Sequence, residues 1–303
     1  MKWEGQEQSD NVEDRRDQSG GGGGGGGGMG GLLGGRNIGL GSIAIALVAG
    51  WVFGINPLTV LGLLSGNGNG GGGVSPVTQQ QVPAAAHRPP AADKSAQFVS
   101  IVLRDTEKVW GQVFQAAGGT YRVPKLVIFR GSTDTACGTG QTAMGPFYCP
   151  GDSDVYIDLA FFDTLSQRLG APGDFAKAYV VAHEVGHHVQ NLMGITSKVD
   201  AQRSRQSEAQ ANAMSVRVEL QADCLAGVWA FHSQQGKDWL EQGDVEQALN
   251  AASQIGDDTL QRKARGSVVP ESFTHGSSQQ RVSWFKRGLD SGSVKQCNTF
   301  EAR

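Results

Sequence analysis

The spacing of apolar residues changes along the chain, and each spacing predicts a different element. From about residue 96, six apolar residues recur at helical intervals up to a Gly-Gly pair, which predicts an amphipathic helix. These residues are Phe98, Ile101, Val102, Val109, Val113 and Phe114. The apolar run within Lys125–Arg130 predicts a buried strand. Apolar and polar residues alternate over Asp154–Leu159, so we expect a half-buried strand with a solvated acidic face.

Helical periodicity dominates the rest of the chain. One long helix is predicted over 174–193, and a second from Ser207 or Asn212 to Gln235. Three shorter helices should follow, over 244–256, over 258–264 and from Ser277 or Ser278. These elements predict an α+β domain over residues 96–303, mostly helical with a small sheet.

The N-terminal third has a different composition. Residues 1–37 are polar and then glycine-rich, which predicts a disordered head, because a glycine run has high backbone entropy and nothing to bury. Residues 38–64 contain no charged residue and are long enough to cross a bilayer, so we expect a single transmembrane helix. A buried core helix is the alternative, but the glycine-rich flanks give it nothing to pack against. Residues 65–95 predict a flexible linker.

Basic residues and cysteines predict an orientation for this segment. Four basic residues precede it, whereas the first that follows is Arg88, so the head should be cytoplasmic and the domain extracytoplasmic. All four cysteines lie on the predicted outer side, where disulfides persist. They permit three pairings, of which we favour Cys137 with Cys149 and Cys224 with Cys297. Zinc ligation by cysteine is the alternative, but no Cys-x-x-Cys spacing is present.

The stretch Ala182–His188 contains a chemical motif. His183 and His187 project about 40° apart on a helix and lie about 5–6 Å from each other, so both can bind one metal ion. Glu184 borders the position of an activated water, as in the His-Glu-x-x-His pattern of zinc hydrolases. His188 points elsewhere, and we expect it to support the ligands or to pack. The alternative is a buried helix whose histidines only satisfy hydrogen bonds.

Glu219 and Asp223 lie one turn apart in the second long helix. Because a catalytic zinc commonly has three protein ligands, we expect Glu219 to complete the set of His183 and His187. Asp223 should accept a hydrogen bond from one ligand histidine and orient its ring. A solvated helix face is the alternative, but the neighbouring residues are apolar and a buried carboxylate needs a partner. Two histidines and one glutamate favour Zn²⁺, although ligand type alone does not separate it from manganese or cobalt.

The net charge of the chain and one further histidine also bear on its function. The net charge of -3 and the absence of a basic cluster disfavour nucleic-acid binding. His275 precedes the last predicted helix and is a candidate for the catalytic cavity, although a histidine at such a position more often belongs to an ordinary loop.

The chain resembles the neutral zinc metallopeptidases of bacteria that are often called YpfJ-like. Four groups of residues carry the likeness: Lys2–Gly5 with Ser9–Arg16, His183–His188, Glu219–Cys224 and Thr274–Arg281. The likeness covers the chain except the glycine run and the linker. The chain is also similar to gluzincins, whose third ligand is a glutamate in a Glu-x-x-x-Asp setting, which implies that Glu219 is the ligand and that Asp223 orients a histidine.

Ste24-like membrane peptidases have a histidine followed six residues later by arginine, and His275 with Arg281 is similar. That likeness implies that His275 contacts the oxyanion or the substrate and that Arg281 supports the site. Those enzymes follow the histidine with proline, whereas this chain has Gly276, so the local backbone is expected to differ. In zincins the substrate lies along a sheet edge, and Asp154–Leu159 is our candidate for that strand within a zincin-like domain.

The motifs and the resemblance together imply a zinc peptidase in the bacterial cytoplasmic membrane, anchored by one transmembrane helix, with its domain in the periplasm or outside the cell. It would hydrolyse a peptide or protein substrate with zinc-activated water, and Glu184 would be the general base. The alternative is a membrane-tethered metal-binding or scaffold domain without proteolytic activity. A structural zinc site has four protein ligands and no adjacent base, so Glu184 argues against that alternative.

Overall fold

A four-stranded sheet forms one side of the domain. The computed structural model describes residues 1–18, 89–203 and 205–301. The sheet has the order β1-β2-β6-β5, and a hairpin of β3 and β4 stands beside it. β1, β2 and β6 are parallel, whereas β5 is antiparallel to β6. The strands are β1 (Val12–Asp14), β2 (Leu126–Phe129), β3 (Ser132–Thr135), β4 (Gly138–Gln141), β5 (Phe147–Cys149) and β6 (Asp154–Asp158).

Helices make up most of the described chain, as the sequence predicts for an α+β domain. They are α1 (Lys94–Ala116), α2 (Ala160–Asp163), α3 (Asp174–Leu192), α4 (Ile195–Arg203), α5 (Glu208–Lys237), α6 (Asp244–Gln254), α7 (Asp257–Arg265) and α8 (Ser278–Ser291). The predicted N-terminal caps are confirmed, since Ser207 and Ser277 each form a capping box with the glutamine three residues later. The two long predicted helices are α3 and α5, and they contribute most of the site.

Close helix contacts at glycine set the arrangement of α3, α5 and α8. A β-carbon at Gly186 of α3 would lie 3.0 Å from the carbonyl oxygen of Ala222 in α5. Gly227 of α5 and Gly288 of α8 similarly face each other's helix backbone, where a β-carbon would collide with it. Because glycine lets these backbones approach, the side chains one to two turns away meet in the space between the helices.

Strand β6 differs from the prediction for Asp154–Leu159. It lies between β2 and β5, so it is an interior strand and not the sheet edge we expected beside the substrate. Its acidic face is not solvated either. Asp158 is 6% exposed and accepts hydrogen bonds from the backbone N–H of Gly131 and the hydroxyl of Thr142. The prediction failed because alternation within one strand does not reveal a strand on its far side.

The predicted disordered head is wrong for residues 1–18. β1 pairs in parallel with β2, with Val12 opposite Leu126. Val12 is 4% exposed, and the hydroxyl of Ser9 donates to the buried carboxylate of Glu107 in α1. The polar composition of the head gave the wrong prediction, because one buried apolar residue among charged ones is enough for a short strand to pair with the edge of an existing strand.

This pairing also corrects the predicted orientation. A single crossing between the head and the domain would place them on opposite sides of a membrane, whereas β1 and β2 are hydrogen-bonded neighbours in one sheet. The predicted transmembrane helix over 38–64 lies outside the described residues, as does nearly all of the linker over 65–95. Among the residues that the structure describes, no helix is long and apolar enough to cross a bilayer.

Both favoured disulfides are present. Cys137 and Cys149 join the loop between β3 and β4 to the end of β5, with 5.8 Å between their Cα atoms. Cys224 and Cys297 join α5 to the C-terminal segment. All four cysteines are therefore paired, and none is free to bind zinc.

Candidate metal centre

Three potential ligands converge between α3 and α5. The imidazoles of His183 and His187 have their ring centroids 4.8 Å apart. Oε2 of Glu219 lies 3.1 Å from Nε2 of His183, and Oε1 lies 3.5 Å from Nε2 of His187. One potential ligand atom from each residue lies within 4.8 Å of the other two. The structure therefore brings together the three residues that the sequence singles out as ligands.

His183 is oriented from behind by a carboxylate. Its Nδ1 lies 2.9 Å from Oδ1 of Asp223, which is fully buried. Because a carboxylate only accepts, the ring donates from Nδ1, and Nε2, which faces Glu219, is the nitrogen left for a metal ion.

Asp223 is in turn held by Arg281 and Tyr179. Arg281 donates from Nε to Oδ2 and from Nη2 to Oδ1, each at 2.9 Å, and the phenol of Tyr179 donates to Oδ1. Arg281 is 2% exposed, so this two-pronged ion pair is inside the protein. The close approach of Gly227 and Gly288 brings α8 near enough to α5 for this contact.

His187 is oriented by a neutral amide. Its Nδ1 lies 2.9 Å from Oε1 of Gln190, one turn later on α3. The Nε2 amide group of Gln190 donates to the carbonyl of Val218 at 2.7 Å and to Oε1 of Gln221 at 3.0 Å. These two donor bonds identify which end of the amide faces His187, so His187 also donates from Nδ1 and has Nε2 left for a metal ion.

The donor set fits a zinc ion. Two imidazole Nε2 atoms and one carboxylate meet at one point, and each imidazole has its other nitrogen bonded to an acceptor. Only these three residues form such a group within the described chain. A set of three ligands leaves a coordination position open, which is typical of catalytic and not structural zinc.

The charges around the ligands favour a cation. Burial lowers the pKa of His183, but Asp223 and Glu219 outweigh this effect and raise it to about 10. Burial likewise lowers the pKa of His187, and Glu219 raises it overall. Burial raises the pKa of Glu219, yet the two imidazoles hold it well below its usual range. Without metal, the site therefore retains a proton in the place that a metal ion would occupy.

Glu184 lies beside the ligands on the wall of the cleft. Its side chain is largely buried, and burial raises the pKa of its carboxyl, although His183 and His187 partly oppose the shift. A raised pKa makes the carboxylate a better base near neutral pH.

An open cleft of about 530 Å³ contains the centre. Its walls come from α3, α5, β5 with the turn before it, and the loop that carries His275. The apolar residues that line it include Phe161, Leu169 and Val180. The cleft is large enough to admit a peptide segment.

The loop with His275 is held by one aspartate that the sequence analysis missed. Oδ2 of Asp257 accepts from the backbone N–H groups of Thr274, His275 and Gly276 at 2.6–3.0 Å. Nδ1 of His275 lies 3.4 Å from Oδ1 of Asp257, and the imidazole, about half exposed, lines the cleft. No periodic pattern connects Asp257 with this loop, so sequence spacing offered no signal for it.

Gly276 explains the departure from proline noted in the sequence. Its φ is +91°, a value that proline cannot adopt, and its N–H donates to Asp257. A proline at this position would therefore require a different local backbone.

His188 faces away from the ligands and is 1% exposed. It packs between the rings of Tyr121 and Tyr148, and burial lowers its pKa. Arg281, expected to support the site, does so through Asp223. Gln190 and Tyr179 were missed as supporting residues, although their spacing of three and four residues from the ligand histidines placed them on the same side of the helix.

The comparisons with known proteins agree with this chemistry. The family model described as "Putative neutral zinc metallopeptidase" matches residues 1–300. The chain belongs to this family. The uncharacterized protein YpfJ of Escherichia coli (strain K12) is 53% identical over 304 residues, which is 99% of this chain and 99% of that protein. The uncharacterized protein Mb2605 of Mycobacterium bovis is 42% identical over 192 residues, which is 60% of this chain and 64% of that protein. No solved structure matches the chain.

Membership confirms the resemblance read from the motifs. The matched residues 1–300 include the head that pairs with the domain through β1. The family name implies zinc and peptide hydrolysis, while neither relative's name states an activity.

Proposed function

We propose that this chain is a zinc-dependent peptidase that hydrolyses peptide bonds, with Glu184 as the general base. The observation that carries the proposal is the convergence of His183, His187 and Glu219 in an open cleft, with a buried carboxylate one residue after the first ligand. A bound zinc ion would supply Lewis-acid activation of water and of the scissile carbonyl.

The chain's own residues would perform the proton transfers. The carboxylate of Glu184 accepts a proton from the attacking water and delivers it to the leaving amine, and its raised pKa suits both steps. The imidazole of His275 donates a hydrogen bond to the oxygen that becomes negative, since Asp257 holds its loop against the cleft. Burial lowers the pKa of His275, but Asp257 and Glu219 raise it overall, which favours the donor form.

We propose that the substrate backbone lies along β5 and not along β6. The N–H of Val155 donates to the carbonyl of Lys125 next to β2, so Val155 faces β2 and its two neighbours in β6 face β5. Those neighbours pair with Phe147 and Cys149. The backbone N–H and C=O of Tyr148 therefore point away from β6, to an edge that no other strand of the described residues pairs with, where an extended peptide can pair with them.

The decisive experiment replaces the carboxylate of Glu184 with an amide of the same shape. In the full-length chain, Glu184→Gln should keep about one zinc per chain and lose cleavage of a peptide library. Glu246→Gln makes the same chemical change on the exposed surface of α6 and should leave both properties unchanged. Cleavage that survives Glu184→Gln would refute the mechanism. Zinc binding by a wild-type protein that cleaves nothing would favour the metal-binding scaffold.

We also propose that the domain works outside the cytoplasm, together with its head. Two disulfides support an oxidising compartment, and the pairing of β1 with β2 keeps residues 1–18 on the side of the domain. Attachment to a membrane through residues 38–64 stays a prediction, but a single crossing there would separate the head from the domain and is not part of this proposal.

Cysteine labelling tests this location. Asp17→Cys and Val123→Cys place single thiols on exposed positions of the head and the domain, and the native cysteines are all paired. A membrane-impermeant maleimide should label both variants of the full-length chain in intact cells. Labelling of only one variant would overturn the shared side, and labelling of neither before lysis would overturn the extracytoplasmic location.

A further inference from the structure

His188 follows the last ligand histidine directly, but it serves a different wall of the cleft. Its ring centroid lies 5.4 Å from that of Tyr148 in β5 and 5.6 Å from that of Tyr121. Both contacts are edge-on, so the imidazole is enclosed between two tyrosines. α3 therefore carries metal ligands on one side and a contact to the sheet edge on another.

The hydrogen bonds of His188 define the direction of each proton. Nε2 lies 2.6 Å from the carbonyl oxygen of Arg122, and a carbonyl only accepts, so Nε2 carries the hydrogen. A neutral ring in this tautomer accepts at Nδ1, which lies 3.1 Å from the hydroxyl of Tyr148. Tyr148 then donates to His188, and the same hydroxyl accepts from Nδ2 of Asn191 at 2.9 Å.

Tyr148 is thus fixed at its tip by α3 and at its backbone by the sheet. β5 contains only Phe147–Cys149 and pairs with β6 on one side, so few other bonds hold it. The disulfide at Cys149 fixes the end of the strand to the β3–β4 loop but makes no link to α3. The hydroxyl of Tyr148 is the polar connection between this strand and the motif helix.

We propose that His188 and Asn191 are positioning residues, which hold Tyr148 so that β5 lies at a fixed distance from the metal ligands and the cleft keeps its width. The identity of the occupant as a peptide rests on the proposed function, whereas the positioning of β5 does not. The two histidines that end the motif therefore have different roles. His187 belongs to the group of metal ligands, whereas His188 holds the wall of the cleft that β5 forms.

The chain offers a matched pair of variants. Tyr148→Phe removes the hydroxyl that donates to His188 and accepts from Asn191. Tyr121→Phe removes a hydroxyl on the other side of the same imidazole, and this buried oxygen has no hydrogen-bond partner among the described residues. Both substitutions keep the ring contacts with His188, so only the link to β5 differs between them.

Amide hydrogen exchange on the full-length, zinc-loaded protein measures the position of β5 without any activity assay. Tyr148→Phe should speed exchange at Phe147 and Cys149 about tenfold and leave the amides of α3 unchanged. Asn191→Leu should change the same amides in the same direction. Tyr121→Phe should leave them as in the wild type. Equal exchange in Tyr148→Phe and Tyr121→Phe would overturn the proposal.

Kinetics add a second measurement if a library peptide is cleaved. Tyr148→Phe should raise KM about tenfold with kcat within about twofold and with about one zinc per chain, because a displaced strand binds the peptide less well and leaves the base in place. Loss of zinc in Tyr148→Phe would contradict the proposal, since the residue would then support the ligands. If no peptide is cleaved by the wild type, the proposed function fails, while hydrogen exchange still decides the role of His188.

Discussion

His183 and His187 are one turn apart on the same helix, yet their rings are held by different chemistry. His183 donates to Asp223, a buried carboxylate whose charge is balanced by Arg281. His187 donates to Gln190, a neutral amide whose other end is bonded to α5. A carboxylate makes the ring more basic and binds it more strongly, but it requires a buried counter-charge. One ligand is therefore tied to the charge balance of the core, and the other only to hydrogen bonding.

The largest expected effect comes from removing the charged anchor. Asp223→Ala leaves Arg281 buried without a counter-charge, so the free energy of unfolding should fall by about 3–5 kcal/mol. Zinc affinity should fall about 10–100-fold because His183 loses its orienting partner. Urea denaturation and chelator competition on the full-length chain measure both quantities.

The exposed Asp290→Ala on α8 is the control, with an expected change within about 0.5 kcal/mol. A loss below about 1 kcal/mol in Asp223→Ala would show that the ion pair with Arg281 is not the feature that distinguishes the two anchors.

The next largest effect should appear in the pH dependence of zinc affinity, which distinguishes the charged anchor Asp223 from the neutral anchor Gln190. The folded pKa of His183 is raised to about 10 in the metal-free protein, above its ordinary value of about 6.5. Zinc must displace this proton, so zinc affinity should rise about tenfold per pH unit between about pH 7 and pH 9. Because the pKa of His183 is higher in the folded than in the unfolded chain, its proton stabilises the metal-free fold. This stabilisation is complete below about pH 6.5 and is lost as the pH rises through about 10.

The variants sharpen this test. Asp223→Asn removes the charge that raises the pKa of His183, so its pH dependence should be flatter than that of the wild type. Gln190→Leu should keep the wild-type slope, since the amide carries no charge. Chelator competition at each pH gives the slope of zinc affinity against pH. Equal slopes in the wild type and Asp223→Asn would show that the charge of Asp223 does not distinguish the two anchors.

The smallest effect should follow from removing the neutral anchor. Gln190→Leu leaves the Nδ1–H of His187 and the carbonyl of Val218 without their partners, so the free energy of unfolding should fall by about 1–2 kcal/mol. Zinc affinity should fall less than in Asp223→Ala. The same denaturation and competition measurements apply, and a loss equal to that of Asp223→Ala would show that charge does not distinguish the anchors.

The sequence predicted the local part of this site. His183, His187, Glu219 and Asp223 are each one turn from a partner on the same helix, so helical periodicity alone places each pair on one face. The approach of the two helices to each other could be inferred only from the need of buried carboxylates for partners. Once α3 and α5 were long helices, few other arrangements would satisfy those groups.

Contacts that join distant elements could not be predicted in the same way. Asp257 reaches the His275 loop from α7, and Tyr148 reaches His188 from a three-residue strand, too short for a periodic pattern. The status of β6 as an interior strand depends on the same short β5. Each of these errors concerns what lies beside an element, whereas β2, β6 and the helices α1, α3, α5, α6, α7 and α8 were predicted from their own residues.

The strand β1 has a practical consequence for work on the isolated protein. Leu126, Val127, Ile128 and Phe129 of β2 are each at most 1% exposed, and β1 covers one edge of this strand. A fragment that starts at residue 96 would uncover that edge and offer other copies an apolar template for aggregation. Recombinant protein meant for zinc analysis or crystallisation should therefore retain the first 18 residues, even where the stretch that follows them is shortened.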